Sequence, residues 1–267
     1  ENRKIVVNIR NVVTRLPELR FEEPLNWIIE EGQQWGVIGP NGAGKTLIAD
    51  VMQRKFALKE GEVAFGYEGN VGTLVKSIAF KDIYSLADCR NSYYQQRWHS
   101  TETDEVPTIE DILKEDAGSE DYHKVLSLFG IEELLPKKLI FLSSGELRKF
   151  LIVKSLLTNP RVLILDNPFI GLDVSSRSVL NKLLIRLSEL DNLQIVLVLS
   201  DPADIPDFIT DVLPVKDKKL YPALSATEFL SSIDLQSHLF PPRHSALSHI
   251  PGFGLREQDL NYENVAV

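Results

Sequence analysis

One run of residues limits this chain more than any other: Gly39-Pro40-Asn41-Gly42-Ala43-Gly44-Lys45-Thr46. It fits the pattern G-x-x-x-x-G-K-[ST]. It also stands between an apolar run, Gln34 to Ile38, and a stretch with apolar residues at helical spacing, Leu47, Ile48, Val51 and Met52. A strand that ends in a glycine-rich turn and passes straight into a helix is suited to holding phosphate. Small residues let consecutive backbone N–H groups turn inward, and the helix N-terminus adds partial positive charge. On this reading Gly39, Pro40, Asn41, Gly42, Ala43 and Gly44 cradle the β- and γ-phosphates of ATP. Lys45 reaches the terminal phosphates, and Thr46 ligates Mg²⁺ through its hydroxyl. The bland alternative is a plain glycine turn, and the loop alone leaves kinases, GTPases and motors open.

The chain around this loop has 267 residues, enough for one large domain or two small ones. With 43% hydrophobic and 25% charged residues it is neither collagen-like nor of low complexity nor wholly disordered. Its 38 acidic against 29 basic residues give a net charge of -9, the wrong sign for attraction to nucleic acid or anionic lipid. The lone cysteine, Cys89, cannot close an internal disulfide, so a reducing compartment, the cytoplasm, is expected. No apolar run approaches the roughly 20 residues that span a bilayer, and Glu1 to Val7 carry no signal-peptide core. Direct membrane insertion is therefore not expected. Any membrane work falls to a separate partner, with the chain peripheral at the inner face.

Ile5 to Val13, Leu25 to Ile29, Gln34 to Ile38, Glu62 to Phe65 and Ser77 to Phe80 read as strands. The middle reads as a helical subdomain over about 83–157, with helices at Ile83 to Arg97, Ile109 to Lys114, Tyr122 to Phe129 and Gly145 to Leu157. Val162 to Leu165 and Gln194 to Leu199 are continuous apolar runs, and Val174 to Leu190 is an amphipathic helix between them. Alternating strands and helices with such runs predict an α/β fold whose mainly parallel core sheet is covered on both faces.

Two further motifs carry chemistry. Leu142-Ser143-Ser144-Gly145-Glu146 opens a helix, with Ser143 as N-cap and Glu146 three residues on, the pattern of a capping box. Val162 to Asp166 is a buried strand that ends in a carboxylate.

In this order, with Gly171-Leu172-Asp173 just after, the chain resembles the ATP-binding cassette (ABC) ATPases over about residues 4 to 230. The resemblance implies a P-loop core with an antiparallel β subdomain and a helical subdomain, and ATP with Mg²⁺ bound at Thr46 and Asp166. It also implies a second cassette as partner: Leu142, Ser143, Ser144, Gly145 and Glu146 are the signature, and Ser143 and Gly145 contact a γ-phosphate held by that partner. Asp173 belongs to the D-loop at the seam between the two.

The chain departs from the family in several places. The family's general base, a Glu after the strand Asp, is replaced by Asn167, which can position water but cannot accept its proton. The family's switch histidine is replaced by Ser200. The Q-loop glutamine has two candidates, Asp82 and Gln95. The aromatic that stacks on adenine falls near Leu16 by position, with Phe21 as the available substitute.

Within the family, Ser92 to Trp98 and Asp166 to Asp173 look most like the ModF-like tandem cassettes of molybdenum transport or photorepair. Leu260 to Val267 echoes Val7 to Val13, as the opening strand of a second copy would. The chain is accordingly expected to be an N-terminal cassette at 1–230, a linker at 231–258 and the start of a second cassette at 259–267. Its site is expected to bind Mg-ATP with little turnover, so that hydrolysis by this half alone is weak or absent. It would act as the ATP-binding component of a molybdate-type transport system beside a membrane permease. The alternative is a soluble tandem ATPase that acts as a nucleotide switch in repair or regulation.

Overall fold

The computed structural model describes residues 3–80, 107–114 and 122–241. A long strand β1 (Ile5–Thr14) lies between β2 (Leu25–Glu30) and β4 (Leu58–Phe65) in an antiparallel sheet. In β2 the residues alternate, with Leu25, Trp27 and Ile29 buried and Asn26 and Ile28 exposed, as expected of a sheet with one covered face.

The larger sheet holds β3 (Trp35–Ile38), β5 (Val75–Ala79), β6 (Val162–Asp166), β7 (Gln194–Leu199) and β8 (Asp211–Lys216). These run parallel in the order β8-β3-β7-β6-β5. Two short antiparallel strands, β9 (Lys219–Leu220) and β10 (Leu224–Ser225), close the β8 side. Every residue of β6 and β7 is buried. The pleat sends alternate side chains to opposite faces. Ile164, Val196, Val198 and Val37 meet the antiparallel sheet and α1 (Lys45–Met52), whereas Leu163, Leu165, Leu197 and Ile38 join the helical side.

After β4 comes the short α2 (Val71–Leu74). The helical side contains α3 (Ile109–Leu113), α4 (Tyr122–Phe129), α5 (Ser144–Leu156) and α6 (Val174–Ser188). The expected α/β class with a mainly parallel sheet and an antiparallel subdomain is what the chain forms. The strand expected at Ser77 to Phe80 is found as β5, two residues earlier at its start. The folded body also continues past residue 230, through α7 (Ala226–Ser231) and α8 (Ile233–Leu239). There Leu239 is fully buried, and His238 shares a 2.8 Å hydrogen bond with the Tyr221 hydroxyl. The helix expected at 83–97, most of the linker and the echo at 260–267 lie outside the described residues. Among the described residues no helix is long and apolar enough to cross a membrane.

Candidate nucleotide-binding site

Because β3, β6 and β7 are parallel neighbours, their carboxyl ends bring Gly39, Asp166 and Ser200 to one edge of the sheet. Ligands of open α/β sheets bind at such an edge. The Gly39 N–H donates to Leu199 O at 3.3 Å, and a Cβ on Gly39 would stand 1.9 Å from Val215 O, so only glycine fits. Gly44, the N-cap of α1, has φ +101, where a side chain would be strained. The Lys45 side chain is buried at 3% exposure, and its Nζ donates to Gly39 O at 2.7 Å and Pro40 O at 2.8 Å. The cationic head is thus folded back over its own loop.

Thr46 Oγ1 donates to Asp166 Oδ2 at 2.7 Å. Asn167 follows with φ +52, a left-handed conformation that Asn tolerates better than most residues, and its N–H donates to Val198 O. Its Nδ2 donates to Asp166 Oδ1 at 2.5 Å, and its Oδ1 accepts from Ser200 Oγ at 3.1 Å. Ser200 Oγ also lies 2.9 Å from the Asn41 amide. The Ser200 hydroxyl, with its one proton, is thus shared between two amide oxygens, Asn41 Oδ1 and Asn167 Oδ1. From Ser200 the hydrogen bonds run through Asn167 to the Asp166 carboxylate. Asn41, Asn167 and Ser200 line a cavity of about 570 Å³ together with Phe169, Ile170 and Arg177.

These residues fit Mg-ATP. A hydroxyl and a carboxylate in contact supply hard oxygen donors, and Mg²⁺ characteristically takes one or two protein ligands alongside phosphate oxygens. Among the described residues no cluster of three or more His, Cys, Asp or Glu offers a competing metal site.

On the other side of the loop Leu16 is 48% exposed, whereas Phe21 is half-buried with its Cε1 3.5 Å from where a Cβ on Gly44 would stand. Of the two aromatic-position candidates, Phe21 is the one beside the P-loop.

The signature segment stands apart from this cluster, and none of its residues lines the cavity of about 570 Å³. Leu142 is buried, and Ser143, Ser144 and Gly145 are exposed at the start of α5. The capping box is formed: Ser143 N–H donates to Glu146 Oε2 at 2.8 Å and Glu146 N–H to Ser143 Oγ at 3.2 Å. Lys137 at 2.6 Å, then the Ser143 N–H, hold the Glu146 carboxyl below the usual carboxylate range. Asp173 caps α6 by accepting from Ser176 N–H at 2.7 Å, which lowers its own pKa. Asp82 and Gln95 lie outside the described residues.

Three residues here escaped the sequence analysis. Arg148 on α5 is 1% exposed and ties the signature helix to the loop after Asn167 through Ile170 O. Arg177 on α6 pairs with Asp204, on the loop that follows Ser200. Lys218, in the β8–β9 turn, donates its N–H to Ala43 O in the P-loop at 2.9 Å.

Comparison with known proteins agrees with this geometry. Residues 23–170 match the family model described as ABC transporter. The chain is 35% identical over 198 residues to an uncharacterised ABC transporter ATP-binding protein of Schizosaccharomyces pombe, covering 70% of this chain and 40% of that protein. It is 30% identical over 192 residues to the ABC transporter ATP-binding protein ModF of Escherichia coli, covering 68% of this chain and 36% of ModF. The chain therefore spans well under half the length of either relative. It is also 25% identical to the zinc import ATP-binding protein ZnuC of Haemophilus ducreyi, covering 74% of this chain and 68% of that one. Among solved structures, a nucleotide-free ATP-binding cassette from an ABC transporter superposes with a TM-score of 0.66 at 16% identity, covering 86% of this chain and 97% of the other. The cbiO1 protein of Clostridium perfringens, part of the ABC transporter complex cbiONQ, superposes with a TM-score of 0.64 at 19% identity, covering 90% and 97%.

Proposed function

As the chain belongs to the ABC transporter family, we propose that it is the ATP-binding cassette of a transport system, holding Mg-ATP at a degenerate site and lending its signature to a partner cassette. One observation carries the reading: the residue after the strand carboxylate is an amide with both ends engaged, Nδ2 on Asp166 and Oδ1 on Ser200. An amide can orient water but takes no proton from it, and general-base contributions are typically ~10²- to 10⁴-fold. Lys45 and the loop N–H groups bind phosphate, Thr46 and Asp166 hold the metal, and Phe21 contacts the base. Mg²⁺, when bound, neutralises charge on the terminal phosphates.

The exposed start of α5 serves the partner. Exposed apolar side chains beside it and beside Asp173, Phe141 and Val174, suit a protein partner rather than water. That partner is a second cassette, downstream in the same native chain, and this chain is the N-terminal half. The relatives of more than twice its matched length support this, and the resemblance of Ser92 to Trp98 and Asp166 to Asp173 to the ModF-like group is what favours a molybdate-type system. A membrane permease completes the assembly at the inner face of a membrane.

The test is calorimetry and phosphate release on this chain and on Lys45→Ala. Mg-ATP should bind to the wild type, turn over barely above background, and fail to bind the variant. Unchanged affinity in Lys45→Ala removes the site, and rapid turnover by this chain alone removes the degeneracy.

A further inference from the structure

The turn between β8 and β9 has two residues, Asp217 and Lys218, both left-handed with φ 50 and 59. Two-residue hairpin turns of this kind favour Asn-Gly or Asp-Gly, because both central positions need positive φ. Lysine there is a strained choice, and what it touches suggests why it stands there. Its N–H donates to Ala43 O in the P-loop at 2.9 Å, and its carbonyl accepts from Glu22 N–H at 2.9 Å. Its ammonium donates to Glu18 O at 2.5 Å. Its Cγ would lie 3.4 Å from a Cβ on Gly44, next to the Phe21 ring edge. Lys218 thus rests on the P-loop with its stem and suspends both ends of the segment that carries Phe21, Glu18 on one side and Glu22 on the other.

Asn41, Asn167 and Ser200 mark the terminal-phosphate end of the loop, so the nucleoside lies toward the opposite end, where Phe21 and Lys218 converge on Gly44. From this placement we infer that Lys218 is a positioning residue for the nucleoside: by holding the 16–24 loop against the P-loop it sets the base affinity of the site from the β8–β9 turn. Its ammonium is directed at Glu18 O, not at phosphate, so the effect passes through Phe21. The inference rests on the Mg-ATP reading above.

The experiment compares ATP with inorganic tripolyphosphate, which offers the phosphates without a base, each with Mg²⁺. Lys218→Gly keeps the left-handed turn and both main-chain bonds while it removes the ammonium and the stem. It should weaken ATP on the order of tenfold, the scale of one base–aromatic stack, and leave tripolyphosphate unchanged. Phe21→Ala should do the same, the double variant should be no weaker than Phe21→Ala, and Lys218→Arg should restore most of the ATP affinity. Equal losses for both ligands, or additive losses in the double variant, would overturn the inference while leaving the ATP site intact. A wild type that binds neither ligand would instead remove the ATP reading itself.

Discussion

Replacing Arg148 with methionine should make the fold more stable even though it removes a hydrogen bond. The guanidinium is 1% exposed, donates from Nη2 to Ile170 O, and leaves Nε and Nη1 without a partner among the described residues. Its nearest compensation is the face of Phe80, 5.4 Å away. Burial pushes its pKa down to about 10, which at ~1.36 kcal/mol per unit amounts to about 3 kcal/mol against the charged form. The bond lost is worth about 1.5 kcal/mol at the low end for a charged donor, a fitting value because Ile170 is 48% exposed and its carbonyl can turn to water. Methionine fills similar volume without a charge, so the net gain is about 1–2 kcal/mol, in line with other exchanges of buried charge for apolar groups. Thermal unfolding should shift upward by roughly 2–4 °C for each kcal/mol in a domain of this size. Arg148→Ala, which leaves a cavity, should go the other way. A methionine variant less stable than the wild type would show that the buried guanidinium is better satisfied than its contacts indicate, and would refute the reasoning.

In the full-length native chain, Ser143→Arg should nearly abolish ATP hydrolysis, because a bulky side chain at the exposed start of α5 blocks the partner's phosphate, while ATP binding at Gly39–Thr46 persists; normal turnover would reduce the segment to a helix cap. Ser143→Ala should cost about 1 kcal/mol of stability in urea unfolding, the usual worth of an N-cap, with no loss of ATP affinity in this half. Asn167→Glu alone should not restore fast turnover in this chain, since the new carboxylate would face Asp166 without donating to it and Ser200 would remain; phosphate release at rates typical of complete cassettes would contradict this. The pKa of Glu146 is lowered in the fold, so the stability it contributes is present above its unfolded pKa and lost as pH falls through its folded pKa. Glu146→Gln should therefore show a flatter urea midpoint between neutral and acid pH than the wild type.

What the sequence made legible was what depends on pattern. Strands β6 and β7 are buried on both faces and read as unbroken apolar runs, and the capping box at Ser143 and Glu146 is local, so spacing alone reveals it. Strand β8 did not read as a strand because Pro214, which has no N–H, sits in it opposite Ile38, yet its carbonyl still accepts from Tyr221 N–H. Arg148 was hidden because α5 buries residues on nearly every side, Leu147, Phe150, Ile152, Val153 and Leu156 among them, so no polar face singles it out. Lys218 was hidden for another reason: its contacts with Ala43 and Glu22 are made by backbone, which leaves no trace in residue type. Asn41, Asn167 and Ser200 are far apart in the chain, and only the parallel pairing of β3, β7 and β6 shows that they are neighbours.

That last group bears on why an amide stands after Asp166. A chain of hydrogen bonds from Ser200 to the Asp166 carboxylate needs, at position 167, a side chain that accepts at one end and donates at the other. An amide does both, whereas an ionised carboxylate only accepts, so glutamate could take the proton of Ser200 but would stand as a second negative group beside Asp166. Asn also suits the left-handed backbone there, φ +52. If the site is degenerate as proposed, loss of the base and acquisition of the bond to Asp166 are one substitution with two effects. Asn167 and Ser200 tie Asn41 of the loop to Asp166 through hydrogen bonds, and an amide at position 167 offers no proton acceptor of carboxylate strength. A site that keeps nucleotide without consuming it would benefit from both.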